Sequence, residues 1–129
     1  MASIQDYYND LVDYDISGVT SLDSIPTQVT TAILPCKYVR FTNMEESVAT
    51  LSNTNGLPTY TFQIVFLIET VGQNTTPNNQ TLCMTIAEAT KAFAESIEGM
   101  LTFSIDFEIN VVNNAPYWGL IATMTILGD

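Results

Sequence analysis

Asp106 and Glu108 stand two residues apart in the alternating run Phe103–Val112, so a pleated strand would project both carboxylates from one face. Strand rise sets them roughly 7 Å apart, a separation at which two carboxylates can hold a hard cation or divide acid and base roles. The same pair suits a solvated face or the lining of an assembly interface, and its surroundings favour that reading. The chain contains no histidine, which removes the commonest general base and with it any Ser–His or Cys–His nucleophile. Its 6 glycines are scattered, so no phosphate-cradling loop is present. Asp10, Asp13 and Asp15 crowd together without the order of a calcium loop, and Glu45 beside Glu46 does not by adjacency converge on an ion. No catalytic residue, cofactor or metal site is expected.

The remaining chemistry-bearing residues point the same way. Cys36 and Cys83 are too few for a disulfide scaffold and are expected as buried free thiols. Of the three basic residues, Lys37 and Arg40 are candidates for ion pairs across subunits, and Lys91 is expected at the surface. Tyr117 and Trp118 follow a turn containing Pro116, where they are better placed to anchor a neighbouring subunit than to stack on a ligand.

Charge is scarce and one-sided. Charged residues are 13% of the chain, against about 25% in a typical globular protein. Thr, Asn, Ser and Gln take their place, a composition compatible with extensive protein contact, since interface cores are depleted in charge. With 3 Lys+Arg against 14 Asp+Glu the formal net charge is −11. Such a chain does not grip a phosphate backbone, which requires cations that displace counterions, yet it can surround nucleic acid without adhering to it. No apolar run reaches the length of a membrane span and the N-terminus has no secretory pattern, so a cytoplasmic site of synthesis is expected.

The elements that must position these residues follow from periodicity. Ser3 caps a helix over 4–14, with Ile4, Tyr7, Tyr8 and Leu11 on one side and Asp6, Asp10 and Asp13 on the other. Asp15–Pro26 is a connector, with a short helical turn admitted at Pro26–Thr31. Ile33–Phe41 reads as a first strand whose Val39 and Phe41 share a face with Ile33 and with the misfit Lys37. Thr42–Pro58 is a long loop, or the extension of its flanking strands into a projecting hairpin through Met44, Val48 and Leu51. Thr59–Val71 is the second strand: Tyr60, Phe62, Ile64, Phe66 and Ile68 form one apolar face, and the other runs from Thr59 and Gln63 to Val65, Leu67 and Val71. Gly72–Asn79 is a turn, and Leu82, Ile86, Ala89, Phe93 and Ile97 mark a helix over 80–99 stopped at Gly99. Phe103–Val112 and Tyr117–Leu127 are two further strands joined by a turn at Asn113–Pro116. The prediction is a single α+β domain with a four-stranded, mainly antiparallel sheet and the long helix on the Tyr60–Ile68 face. The second face of Thr59–Val71 lacks an obvious cover, leaving it to helix 4–14 in part and to a neighbouring subunit for the rest.

The acidic, Tyr-containing N-terminal helix, Gly18-Val19, the Ile25-Pro26 dipeptide and the Ala32-Ile33-Leu34-Pro35 approach to the first strand together resemble small neck and tail-completion proteins of tailed bacteriophages, especially tail terminators. The order of helices and strands extends that likeness along the chain. The resemblance implies a non-enzymatic virion protein that forms a ring, commonly of six subunits, at the head–tail junction. It also implies contacts with the tail tube protein and with connector or stopper proteins, and a channel through which DNA passes without specific binding. Lys37, Arg40, Glu45, Glu46, Tyr117 and Trp118 are then the candidate inter-subunit or tail contacts. Two other classes stay open: a small ligand-binding domain or isomerase using Asp106 and Glu108 in a pocket, and an acidic protein that binds a basic partner.

Overall fold

A computed structural model describes residues 3–29, 33–45, 58–71 and 80–128. The first helix, α1 (Ile4–Asp13), begins with a reciprocal cap. Ser3 Oγ accepts from the Asp6 amide at 3.2 Å, and Asp6 Oδ2 accepts from the Ser3 amide at 2.9 Å. Two amide groups that the first turn would leave unpaired are thereby satisfied. Tyr7 and Leu11, one turn apart, are the residues this helix buries.

Five strands form one mixed sheet: β1 (Thr20–Ser21), β2 (Cys36–Glu45), β3 (Thr59–Thr70), β4 (Met100–Val112) and β5 (Ala115–Leu127), in the order β1-β2-β3-β5-β4. The expected four strands are therefore joined by a fifth, parallel to β2, which pairs Thr20 with Cys36 and Ser21 with Lys37. Two residues carry no readable alternation, so nothing in the Asp- and Ser-rich connector announced this strand. Of the turn admitted at Pro26–Thr31, residues 26–29 are not helical, and Thr30 and Thr31 lie outside the described residues. The remaining pairs are antiparallel. Strand β2 starts at Cys36 and continues through Met44 to Glu45, so part of the expected long loop is strand. Glu46, Val48 and Leu51 and the turn at 72–79 lie outside the described residues.

The second helix, α2 (Gln80–Glu95), is one turn shorter than expected. Its end tightens through bonds from the Ser96 amide to the Phe93 carbonyl and from the Ile97 amide to that of Ala94. Gly99, with φ +87°, then turns the chain into β4. The β4–β5 hairpin closes on Asn113 and Asn114 alone, both left-handed with φ of 50° and 65°. Two consecutive positive φ values make the turn whose twist matches a hairpin, and Ala115 and Pro116 thus belong to β5 rather than to the turn. Asn tolerates that conformation and a β-branched residue does not. Asn114→Val is therefore expected to cost about 1–2 kcal/mol in urea denaturation, whereas Asn114→Gly leaves stability unchanged or raised.

Both helices pack on one face of the sheet. Leu11 and Ile86 meet Phe62, Ile64 and Phe66 of β3 and Ala122, Met124 and Ile126 of β5 in the larger core, as the Tyr60–Ile68 alternation predicts. Helix α1 therefore does not cover the opposite face. There Cys36, Tyr38, Val65, Leu67, Tyr117 and Ile121 form a second, smaller core. It is roofed by the chain's own connector through Leu22, Val29, Ile33 and Leu34. The cover expected from a neighbouring subunit is thus supplied at this end from within. No helix among the described residues is long and apolar enough to cross a membrane.

Candidate functional site

Beyond the second core, the same sheet face turns polar and has no covering element among the described residues. Register places Arg40 of β2, Gln63 of β3, Thr123 of β5 and Ser104 of β4 in one row across four strands. Arg40 Nε donates to Gln63 Oε1 at 2.7 Å, and Gln63 Nε2 donates to Thr123 Oγ1 at 3.3 Å. In the next row the Thr61 and Thr125 hydroxyls share a hydrogen bond at 3.2 Å, with Thr102 opposite Thr125. Thr42 Oγ1 donates to the Thr61 carbonyl at 3.1 Å. Threonine fits this role because its branched side chain suits a pleated surface while its hydroxyl links neighbouring strands. Their mutual bonds link neighbouring strands across a hydroxyl-lined face, a polar plateau.

Charge on the plateau sits at its two sides. Arg40 lies on β2. Asp106 and Glu108 lie on β4, opposite Ile121 and Gly119 of β5, so the expected shared face is observed. Both carboxylates are exposed. Neither lines either of the two clefts described here. One cleft, of about 730 Å³, lies between the ends of the two helices, where the Tyr14 and Phe93 rings stack at 3.9 Å. The other, of about 480 Å³, is apolar and lies between α2 and β4, lined by Met84, Ala87, Ile105 and Phe107. Among the described residues, no group of three or more Cys, Asp or Glu side chains is placed to hold a metal ion.

The other expected site residues separate into inner and outer sets. Lys37 is the larger surprise. It is 1% exposed, and its Nζ donates to the Leu11 and Val12 carbonyls at 3.0 and 3.2 Å. Those are orphan acceptors at the end of α1, so the ammonium completes its own subunit rather than reaching another. Burial pulls its pKa from 10.5 down to about 8, against the opposing pull of Asp15 and Asp13. Tyr117 is also turned inward, 5% exposed, with its hydroxyl donating to the Val29 carbonyl at 3.4 Å. Trp118 is half-buried and stacks on Phe107 with ring centres 5.4 Å apart. Glu45 is exposed at the end of β2, opposite Thr59, and Glu46 lies outside the described residues. Cys36 and Cys83 are buried free thiols. Lys91 is exposed and pairs with Glu95 at 3.7 Å, the one salt bridge among the described residues.

No family model and no curated protein matches this chain.

What periodicity alone did not bring out is that, among the described residues, both sides of the sheet end in strand without an outer neighbour. Beyond the two residues bonded to β1, β2 has no outer neighbour among the described residues from Val39 to Glu45, and β4 has none along its length. On the helix side these edges expose apolar groups: Phe41 (44%) and Met44 (56%) on β2, and Phe107 (44%), Ile109 (45%) and Val111 (65%) on β4. The signal was present in the sequence. Phe103–Val111 is apolar at every second residue for longer than α2 can cover.

Proposed function

We propose that the protein is a non-enzymatic structural subunit that works by assembling into a ring, in the manner of a phage tail terminator or another head–tail joining protein. The observation that carries this reading is a sheet whose two edges and whose hydroxyl-lined face, bearing Asp106 and Glu108, have no cover among the described residues. A long edge with apolar side chains is a liability in an isolated molecule, and pairing with another strand removes it. Each copy then offers two different edges to two neighbours, the arrangement that closes rings. A net charge of −11 with so few cations fits a wall past which DNA moves without sticking, because no counterion release rewards contact. The neck location, the tail tube and connector partners and the six-fold count rest on the resemblance of the first 41 residues. Assembly occurs, on this reading, in the host cytoplasm.

Native mass spectrometry of the purified protein, alone and mixed with tail tubes, tests the proposal. Closed oligomers of one size, or ring-shaped caps on tube ends in electron micrographs, are the expected result. A strict monomer that also leaves the tubes bare rules the function out.

A further inference from the structure

We infer that the subunits join edge to edge, with β4 of one copy hydrogen-bonded antiparallel to β2 of the next and Arg40 of the second facing Asp106 and Glu108 of the first. The inference rests on the ring reading above and specifies its joint.

Strand direction comes first. Along β2-β3-β5-β4 every neighbouring pair is antiparallel, so β2 and β4 run in opposite directions at the two sides of the sheet. Copies related by rotation about a ring axis therefore bring β4 against β2 in the antiparallel sense, the more stable pairing per residue. The same operation keeps both helix layers on one side and both plateaus on the other, so one face of the ring is a continuous hydroxyl-lined surface.

Side chains agree with that register on both faces. On the plateau side Arg40 projects from the β2 edge and Asp106 and Glu108 from the β4 edge. Among the described residues Arg40 has no carboxylate partner in its own chain. On the helix side the exposed Phe41 of β2 is the cross-strand partner of Phe62, and Phe107 of β4 is the partner of Leu120. The joint thus sets Phe41 beside Phe107 and the apolar cleft between α2 and β4, and removes both from water. Charge also chooses between a second copy docked head to tail and one docked symmetrically. Pairing β4 with β4 confronts carboxylates with carboxylates, and like charges directly opposed destabilise a sheet. Pairing β2 with β2 leaves Phe107, Ile109 and Val111 of both β4 edges in water, whereas β2 against β4 uses both edges and sets Arg40 against Asp106 and Glu108.

Charge reversal tests the joint, because heterologous edges can be complemented in a mixture. Arg40→Glu and the double variant Asp106→Arg with Glu108→Arg are each expected to raise the concentration for half-assembly by about tenfold or more in sedimentation velocity. Circular dichroism melts matching the wild type establish that each is folded. Mixed in equal amounts, the two variants are expected to assemble into even-numbered rings that contain them alternately, since every joint in such a ring is again opposite in charge. Failure of the mixture to assemble overturns the joint. Reversed variants that assemble as well as the wild type also overturn it, leave the ring function standing, and reduce the carboxylates to keeping an open edge soluble. A wild-type chain that stays monomeric at every concentration and leaves tail tubes bare overturns ring function and joint together.

Discussion

Gly119→Ala is expected to lower stability by about 3 kcal/mol or more, the upper end of what forcing an added group into a packed interior costs. An ideal Cβ at position 119 would stand 1.8 Å from the Phe66 carbonyl oxygen and 3.1 Å from Asn110 Nδ2. The first is main chain in the central strand and cannot swing aside. Gly119 lies beside the irregularity between Leu67 and Glu69, where β3 gains a residue relative to β5. The bulge brings the backbones together, and glycine is what lets them approach. Urea denaturation monitored by circular dichroism measures the effect. A shift in the unfolding midpoint no larger than that of a surface Ala substitution would show that β5 can move away from β3 at little cost.

Lys37→Ala is expected to cost about 3 kcal/mol, because it opens a hole in the core and strands two carbonyls of α1. Lys37→Met keeps most of the packed stem and is expected to cost less, while changing the pH response. In the folded protein burial lowers the Lys37 pKa to about 8 from its ordinary 10.5, so between those values the unfolded chain holds more protons than the folded one. Stability contributed by this residue therefore rises with pH across that interval. Cys36 acts in the opposite sense. Burial raises its thiol from 9.0 to about 11, so its contribution is full below pH 9.0 and fades above it. The net expectation is a wild-type denaturation midpoint that increases from about pH 7.5 to about pH 9 and then levels or falls. Lys37→Met is expected to lack the rise. A rise of equal size in that variant would locate the titrating group elsewhere.

Lys37 also shows where reading the chain stopped short. Its position on an apolar strand face is correctly given by alternation, because Lys37, Val39 and Phe41 all pair with helix-side residues of β3. What alternation cannot give is the end of α1 lying over that face, since 26 residues separate Lys37 from Leu11 in the chain. The charge looked available to a neighbour only because its partners were distant in sequence. Tyr117 misled in the same way, its hydroxyl being taken by Val29 across 88 residues. Strands longer than ten residues, both helices, the Ser3 cap and the shared face of Asp106 and Glu108 were legible because each rests on local periodicity or a neighbouring pair. The second core was legible only by half. Val65 and Leu67 declared an apolar patch, but Leu22 and Val29 lie in a segment without period, and Ile33, expected on the face of Val39 and Phe41, precedes β2 and packs on the opposite side.

Arg40 is placed differently. It was singled out as a rare cation, and the structure leaves its guanidinium on the open plateau with Gln63 as its side-chain hydrogen-bond partner. Of the three basic residues one binds the helix end, one pairs with Glu95, and Arg40 lies on the plateau, where its role between subunits is part of the proposal above.

The bond between the Lys37 ammonium and the last carbonyls of α1 has a mechanical meaning as well. A short terminal helix ordinarily frays by itself, with amides that exchange through openings far smaller than global unfolding. Here the final turn cannot lift without exposing a buried ammonium and the Leu11 pocket in the same motion. The amides of that turn are therefore expected to exchange with deuterium at the pace of the central strands, in one cooperative unit with them. Any force applied to the acidic outer side of the first helix is then transmitted to the sheet without a slack joint between them.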